Sequence, residues 1–93
     1  MKVTWTRRAI RDLTQARGFI ARTNPAAANE TAFRIVDAVD TLSRQPRIGR
    51  SGRIDGTREY VVADTTYILI YRLRKQGIDL LHVYDSRQSW PPS

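Results

Sequence analysis

The sequence predicts a single α+β domain of order β-α-α-β-β-β, a helical hairpin packed on one face of a small, mainly antiparallel sheet. Three observations carry this. Apolar residues recur at helical spacing in two stretches separated by Asn24-Pro25, and the second stops before Pro46. The second half of the chain alternates short apolar runs with turn residues, the pattern of a meander. Between the halves lies RIGRSGRIDGTR, residues 47–58, with Arg at 47, 50, 53 and 58 and Gly at 49, 52 and 56. Three glycines in eight residues suit neither helix nor strand, so this stretch is loop or hairpin.

Val3 and Trp5 alternate with Lys2 and Thr4 as a short first strand. Thr6 fits an N-cap, and Ala9, Ile10, Leu13, Ala16, Phe19 and Ile20 follow at helical spacing. Arg7, Arg8, Arg11 and Arg17 occupy much of the remaining surface, interrupted by Asp12. Asn24 then caps the second helix, with Pro25 at its first position, and Ala28, Ala32, Ile35, Val36, Val39 and Leu42 form its expected buried face. So short a turn gives an antiparallel hairpin. Beyond the Arg/Gly segment, strands are expected over 60–63, 66–73 and 78–84, joined by turns at Asp64-Thr65 and Lys75-Gln76-Gly77. Residues 1–85 make the core, and 86–93 a tail that Pro91 and Pro92 keep out of regular structure.

The chain of 93 residues supports one core that buries roughly 60–65% of the extended-chain surface, with no room for a large enclosed cavity. No apolar run approaches the roughly 20 residues of a membrane span, and no charged-then-apolar signal segment follows Met1. There is no cysteine, hence no disulfide framework or thiolate metal site. The cytoplasm is the default compartment. The net charge is +7, with fourteen arginines and only Lys2 and Lys75 as lysine. A GC-rich genome accounts for arginine over lysine but not for the excess, which favours an anionic partner such as nucleic acid or an acidic protein.

Catalysis is poorly furnished. His82 is the sole histidine; set within the last strand on a face with Ile78, Leu80 and Tyr84, it reads as a half-buried strand residue bonded to a neighbour. Metal ligands do not cluster, and no cofactor motif is present. Asp37 and Asp40 belong to a solvated helix face. A metal-free ribonuclease could clamp phosphate with Arg58, Arg72 and Arg87 and stack bases on Tyr60, Tyr67, Tyr71 and Tyr84. Its base would have to be Glu59, Asp85 or His82, since arginine stays protonated.

Five pieces in register carry a resemblance that spans nearly the whole length: VTWTRRAIRDL, FIARTNPAAA, LSRQPRIGRSGRIDGTREYVV, TYILIYRL and LLHVYDSRQSWP. Together they resemble toxins of the ParE group within the ParE/RelE superfamily of bacterial type II toxin–antitoxin systems. The resemblance implies a cytoplasmic toxin that inhibits DNA gyrase by binding it, without catalysis, and is neutralised by a ParD-like antitoxin. It implies no cofactor, no membrane and no direct nucleic-acid contact. The related RelE branch instead cuts mRNA on the ribosome, and a degenerate copy would bind antitoxin alone. Aligned on Tyr67 and Tyr71, the positions where the ribonuclease branch carries basic residues read Glu59, Val61, Ile68 and Gln88. An acid, two aliphatics and an amide make no phosphate clamp. Where ParE-like toxins often carry His before the tail, this chain has Asp85.

The expected antitoxin contacts are Arg11, Phe19, Ile20 and Arg34 on the helices, with Tyr60 and Arg72 on the sheet. Core packing accounts equally well for Ile20, and a solvated face for Arg11 and Arg34. For gyrase the expected residues are Arg47, Arg50 and Arg53 of the loop and Arg87, Gln88 and Trp90 of the tail. Trp90 also fits a latch over the core edge, and Arg58 with Glu59 a structural pair or a loop support. The Arg/Gly segment reads as a docking surface rather than an active site.

Overall fold

The computed structural model describes residues 1–89 and Pro91; Trp90, Pro92 and Ser93, and with them the latch expected of Trp90, lie outside the described residues. Two helices pack on one face of a five-stranded sheet. The elements are β1 (Lys2–Trp5), α1 (Arg7–Ala21), α2 (Pro25–Arg44), β2 (Arg50–Ser51), β3 (Arg58–Val61), β4 (Tyr67–Leu73) and β5 (Gly77–Asp85). Across the sheet they run β1-β5-β4-β3-β2. Only β1 and β5 pair parallel, and the other three neighbours are antiparallel. The expected α+β order holds with one addition, the two-residue strand β2 inside the Arg/Gly segment, which pairs Arg50 with Glu59 and Ser51 with Arg58. A strand that short leaves no alternation to read.

Both helices begin where their caps predict. The Thr6 hydroxyl accepts the Ala9 amide at 3.1 Å, and the Asn24 side chain accepts the Ala27 amide at 3.1 Å. Arg17 reaches across the hairpin to the Asn29 side chain at 2.8 Å. Ala9, Ala16, Ile35, Ala38, Val39 and Leu42 bury against Leu69, Tyr71, Ile78, Leu80 and Val83 of the sheet. The buried face expected of α2 was too wide, and the apolar spacing of α1 spans more residues than it buries, Phe19 standing out as a contact residue would. Ile10, Phe19 and Val36 are exposed, and Ala32 is only half-buried. At 100° per residue, Ala9, Leu13, Ala16 and Ile20 already fill the stripe that one sheet face can cover, so Ile10 and Phe19 fall to its flanks.

A bulge in β5 corrects a second expectation. Ile70 pairs with His82 but Tyr71 with Leu80, so Leu81 is the extra residue. Ile78, Leu80 and Val83 therefore share the helix-side core, while Tyr84 packs on Ile68 and Ile70 on the opposite, outer face. Ile78, Leu80, His82 and Tyr84 do not form one face.

Beyond the bulge β5 outruns β1, whose pairing ends at Leu80. The exposed edge is closed by α1. The Thr6 hydroxyl donates to the carbonyls of Leu80 and Leu81 at 2.8 and 3.2 Å, and the Asp12 carboxylate accepts the Val83 amide at 3.0 Å. His82 Nδ1 lies 3.5 Å from the same carboxylate. Among the described residues no helix is long and apolar enough to cross a membrane.

Candidate functional site

Tyr71 anchors the Arg/Gly segment from below. Fully buried on β4, its hydroxyl donates to the Pro46 carbonyl at 2.8 Å and accepts the Gly49 amide at 2.9 Å. Burial pushes its phenol above the ordinary value, and it stays a neutral donor. A Cβ on residue 49 would come within 2.6 Å of that hydroxyl, so the backbone approaches this closely only as glycine. Arg58 braces the same turn, its guanidinium donating to the carbonyls of Gly49 at 2.8 Å and Arg47 at 3.3 Å. The hairpin tip between β2 and β3 is closed by the Gly52 amide on the Thr57 carbonyl at 2.7 Å, with Gly56 at a φ of +80°.

Arg58 and Glu59 are not a pair. As neighbours on a strand they point to opposite faces, and Glu59 turns to the outer face. Its side chain is wholly enclosed; Oε1 accepts the Arg50 guanidinium at 3.0 Å and forms a looser ion pair with that of Arg53 at 3.6 Å. Oε2 accepts the Arg53 backbone amide at 3.0 Å. Burial alone would raise the carboxyl's pKa, but the Arg53 amide and the two guanidinium charges together hold it below the ordinary value. Register and alternation set Glu59, Val61, Ile68 and Ile70 on this outer face, with Arg72 beyond them. Arg72 lies 3.4 Å from Asp79, which also bonds Arg74, and these arginines hold that carboxyl low. The outer face thus carries four arginines answered by two internal carboxylates around an aliphatic centre.

Two of the depressions among the described residues lie at opposite ends of the β4–β5 pair. One, of about 440 Å³, runs between α1 and the C-terminal end of β5, and includes Arg8, Asp12, Phe19, Tyr67, Asp85 and Arg87. Its charges are largely paired: Arg8 with Asp12 at 3.0 Å, and Arg87 with Asp85 at 2.6 Å. The Arg87 hydrogen bond holds Asp85 below the usual carboxylate range, against the effect of burial. The position where the resemblance leads one to expect His instead clamps the base of the tail. The other depression, of about 610 Å³, lies where Pro46, Ile48 and Leu73 meet, at the opposite end of the β4–β5 pair.

The residues expected at a gyrase contact do not converge. Arg50 and Arg53 meet on Glu59, Arg47 borders the second depression, and Arg87 and Gln88 border the first. Those expected for the antitoxin also separate. Phe19 stands exposed in the first depression and Arg11 is exposed on α1, whereas Ile20 and Tyr60 pack half-buried against the core. Arg34 bridges Glu30 at 3.0 Å and Asp64 at 3.4 Å, and Arg72 sits on the outer sheet face. Sequence reasoning missed Glu59 as the hub of the loop, although it is the first acid after Asp55 in an arginine-rich stretch. It also missed Asp12 as an edge cap, Phe33 as an exposed aromatic on α2, and the second depression, whose walls come from distant segments. Among the described residues no three His, Cys, Asp or Glu gather as a metal site.

The family model described as "ParE toxin of type II toxin-antitoxin system, parDE" matches residues 3–90. The chain belongs to this family. A relative from Sinorhizobium fredii, "Putative toxin Y4kP", is 41% identical over 90 residues, covering 97% of this chain and 93% of its own. "Toxin RelE2" of Caulobacter vibrioides is 39% identical over 70 residues, covering 75% and 78%. Among solved structures, "Chromosomal ParDE TA system from P. aeruginosa" superposes with a TM-score of 0.84 at 23% identity, covering 91% of this chain and 95% of that one, a likeness of fold. The protein is a ParE-family toxin of a type II toxin–antitoxin system.

Proposed function

We propose that this ParE-family chain acts in the cytoplasm by binding rather than by catalysis, inhibiting DNA gyrase, and that a ParD-like antitoxin neutralises it. The observation that carries the non-catalytic reading is the outer sheet face. Where a phosphate clamp would need cations, this face has the enclosed carboxylate of Glu59 beside Val61 and Ile68. Transition-state stabilisation of a scissile phosphate depends on positive groups aimed at its oxygens, and a buried anion there opposes it. Antitoxin binding is supported by the +7 charge and by apolar side chains left exposed on the hairpin, Ile10, Phe19, Phe33 and Val36. An acidic amphipathic segment that folds on contact would cover them.

A second reading, ribosome-dependent mRNA cleavage, is favoured by the similarity to a toxin carrying the RelE name. The deciding experiment pairs a supercoiling and cleavage assay on purified gyrase with an mRNA-cleavage assay on translating ribosomes. Gyrase inhibition without mRNA cleavage is the expected outcome. Codon-dependent cutting with gyrase untouched would overturn the proposal, and inertness in both would mark a copy that only binds antitoxin.

A further inference from the structure

The second depression differs in kind from the rest of the basic surface. Its floor is apolar, made by Pro46, Ile48 and Leu73 with the Met1 side chain, and Ile48 and Met1 are 41% and 51% exposed. Its rim is Arg47, Arg74 and Lys75, and no carboxylate lines it. Arg74 is tied to Asp79. Arg47 and Lys75 have no ion-pair partner among the described residues, in contrast to Arg50 and Arg53 a few residues on. The rim is also rigidly placed. The Arg47 carbonyl is held by Arg58, the flanking Pro46 and Gly49 by Tyr71, and Lys75 sits in the β4–β5 turn that the Arg74 amide closes on the Gly77 carbonyl at 2.7 Å.

We propose that this depression docks a short acidic segment of the toxin's protein target, one apolar side chain entering the floor and flanking carboxylates meeting Arg47 and Lys75. The chemistry follows from the lining: an apolar floor rewards an aliphatic or aromatic anchor, and two unanswered cations select carboxylates beside it. Arg47 offers a planar fork for two carboxylate oxygens, and Lys75 a mobile point charge. Nucleic acid fits less well, because no aromatic side chain lines the depression to stack a base. The target rather than the antitoxin is assigned because the exposed apolar residues of the hairpin and the Phe19 depression lie elsewhere, Phe19 at the opposite end of the β4–β5 pair. This rests on the reading that the chain acts by binding a protein.

The test uses the full chain, labelled for amide NMR, and an acidic heptapeptide with one central phenylalanine as the probe. The peptide should shift the amides around Ile48, Leu73 and Lys75, and bind more weakly as salt is raised. Replacing its phenylalanine by alanine should weaken binding about fivefold. The double variant Arg47→Glu/Lys75→Glu should weaken it about tenfold or more, through like-charge repulsion. Ile48→Asn, at an exposed floor position, provides a second variant whose fold does not depend on the altered group. Undiminished binding to these variants, or tighter binding of a single-stranded oligonucleotide at the same amides, overturns the site. If the antitoxin complex no longer accepts the peptide, the assignment to the target is overturned. If the complex still accepts it, and the double variant loses gyrase inhibition while keeping antitoxin, the whole proposal is supported. Wild-type binding of the peptide without any gyrase inhibition would sink the gyrase reading and leave the site standing.

Discussion

The two halves of the Arg/Gly segment look alike in sequence and behave oppositely in the fold. Arg50 and Arg53 close on the enclosed Glu59, and their charge is spent on holding the β2–β3 hairpin. Arg47, three residues earlier, shows no such pairing and borders an apolar depression with Lys75. An arginine counts toward a partner only when the protein has not already supplied its carboxylate. The count of arginines therefore overstates the basic surface: Glu59, Asp79, Asp85, Asp12, Asp40 and Glu30 each engage at least one arginine.

The largest blow to both halves should come from Gly49→Val, which forces a branched side chain onto the Tyr71 hydroxyl. A loss of about 2–3 kcal/mol is expected in urea unfolding, and a loss below 0.5 kcal/mol would mean the turn is looser than described. Next, Glu59→Ala should separate the halves. It strips the acceptor from the Arg53 amide and both guanidinium groups, costing about 1–3 kcal/mol. Hydrogen exchange should quicken at Arg53 while protection near Arg47 holds. Equal quickening at both would show that the two halves are one unit.

A smaller, pH-dependent effect distinguishes the carboxylate from its shape. Glu59 is held below the ordinary glutamate value of about 4.5, so its stabilisation is fully present above that pH and fades as pH falls through the folded-state value. The wild-type Tm should fall more steeply below about pH 4.5 than that of Glu59→Gln. Asp79 and Asp85 act in the same direction in both proteins. Parallel curves would remove Glu59 from the account. Smallest of all, Arg47→Glu/Lys75→Glu should change stability by less than about 0.5 kcal/mol, since these exposed charges support nothing internal. A large drop in Tm would place Arg47 with the structural half.

Much of the fold was legible because it rests on local rules. Thr6 and Asn24-Pro25 set the helix starts through caps, and the turns at 64–65 and 75–77 set the meander. Three features were not legible, each for a physical reason. The two-residue strand β2 has no period to detect. The Leu81 bulge shifts the alternation of β5 by one, and nothing local to LLHVY announces it. Helix periodicity gives the direction of the buried face but not its width, which the facing sheet decides, so Val36 counted with the buried face of α2 although it stands exposed. The candidate site was half legible. Arginine and glycine spacing located the segment, but which cations remain available depends on a carboxylate from β3 and on Leu73 and Lys75 from another hairpin.

The parallel pairing of β1 with β5 has a consequence for the order of assembly. Lys2 faces Gly77, so the first strand made waits for the last before it has a neighbour. Until β5 arrives, Ile78, Leu80 and Val83 are missing from the core and β4 lacks one of its two partners. Closing so long a loop is slow relative to local helix formation. During synthesis the helical hairpin can form early, but the five-stranded sheet that joins β1 to β4 through β5 cannot. The complete five-stranded sheet thus comes into being only after β5 has been made, which leaves an interval in which an antitoxin can already be in place.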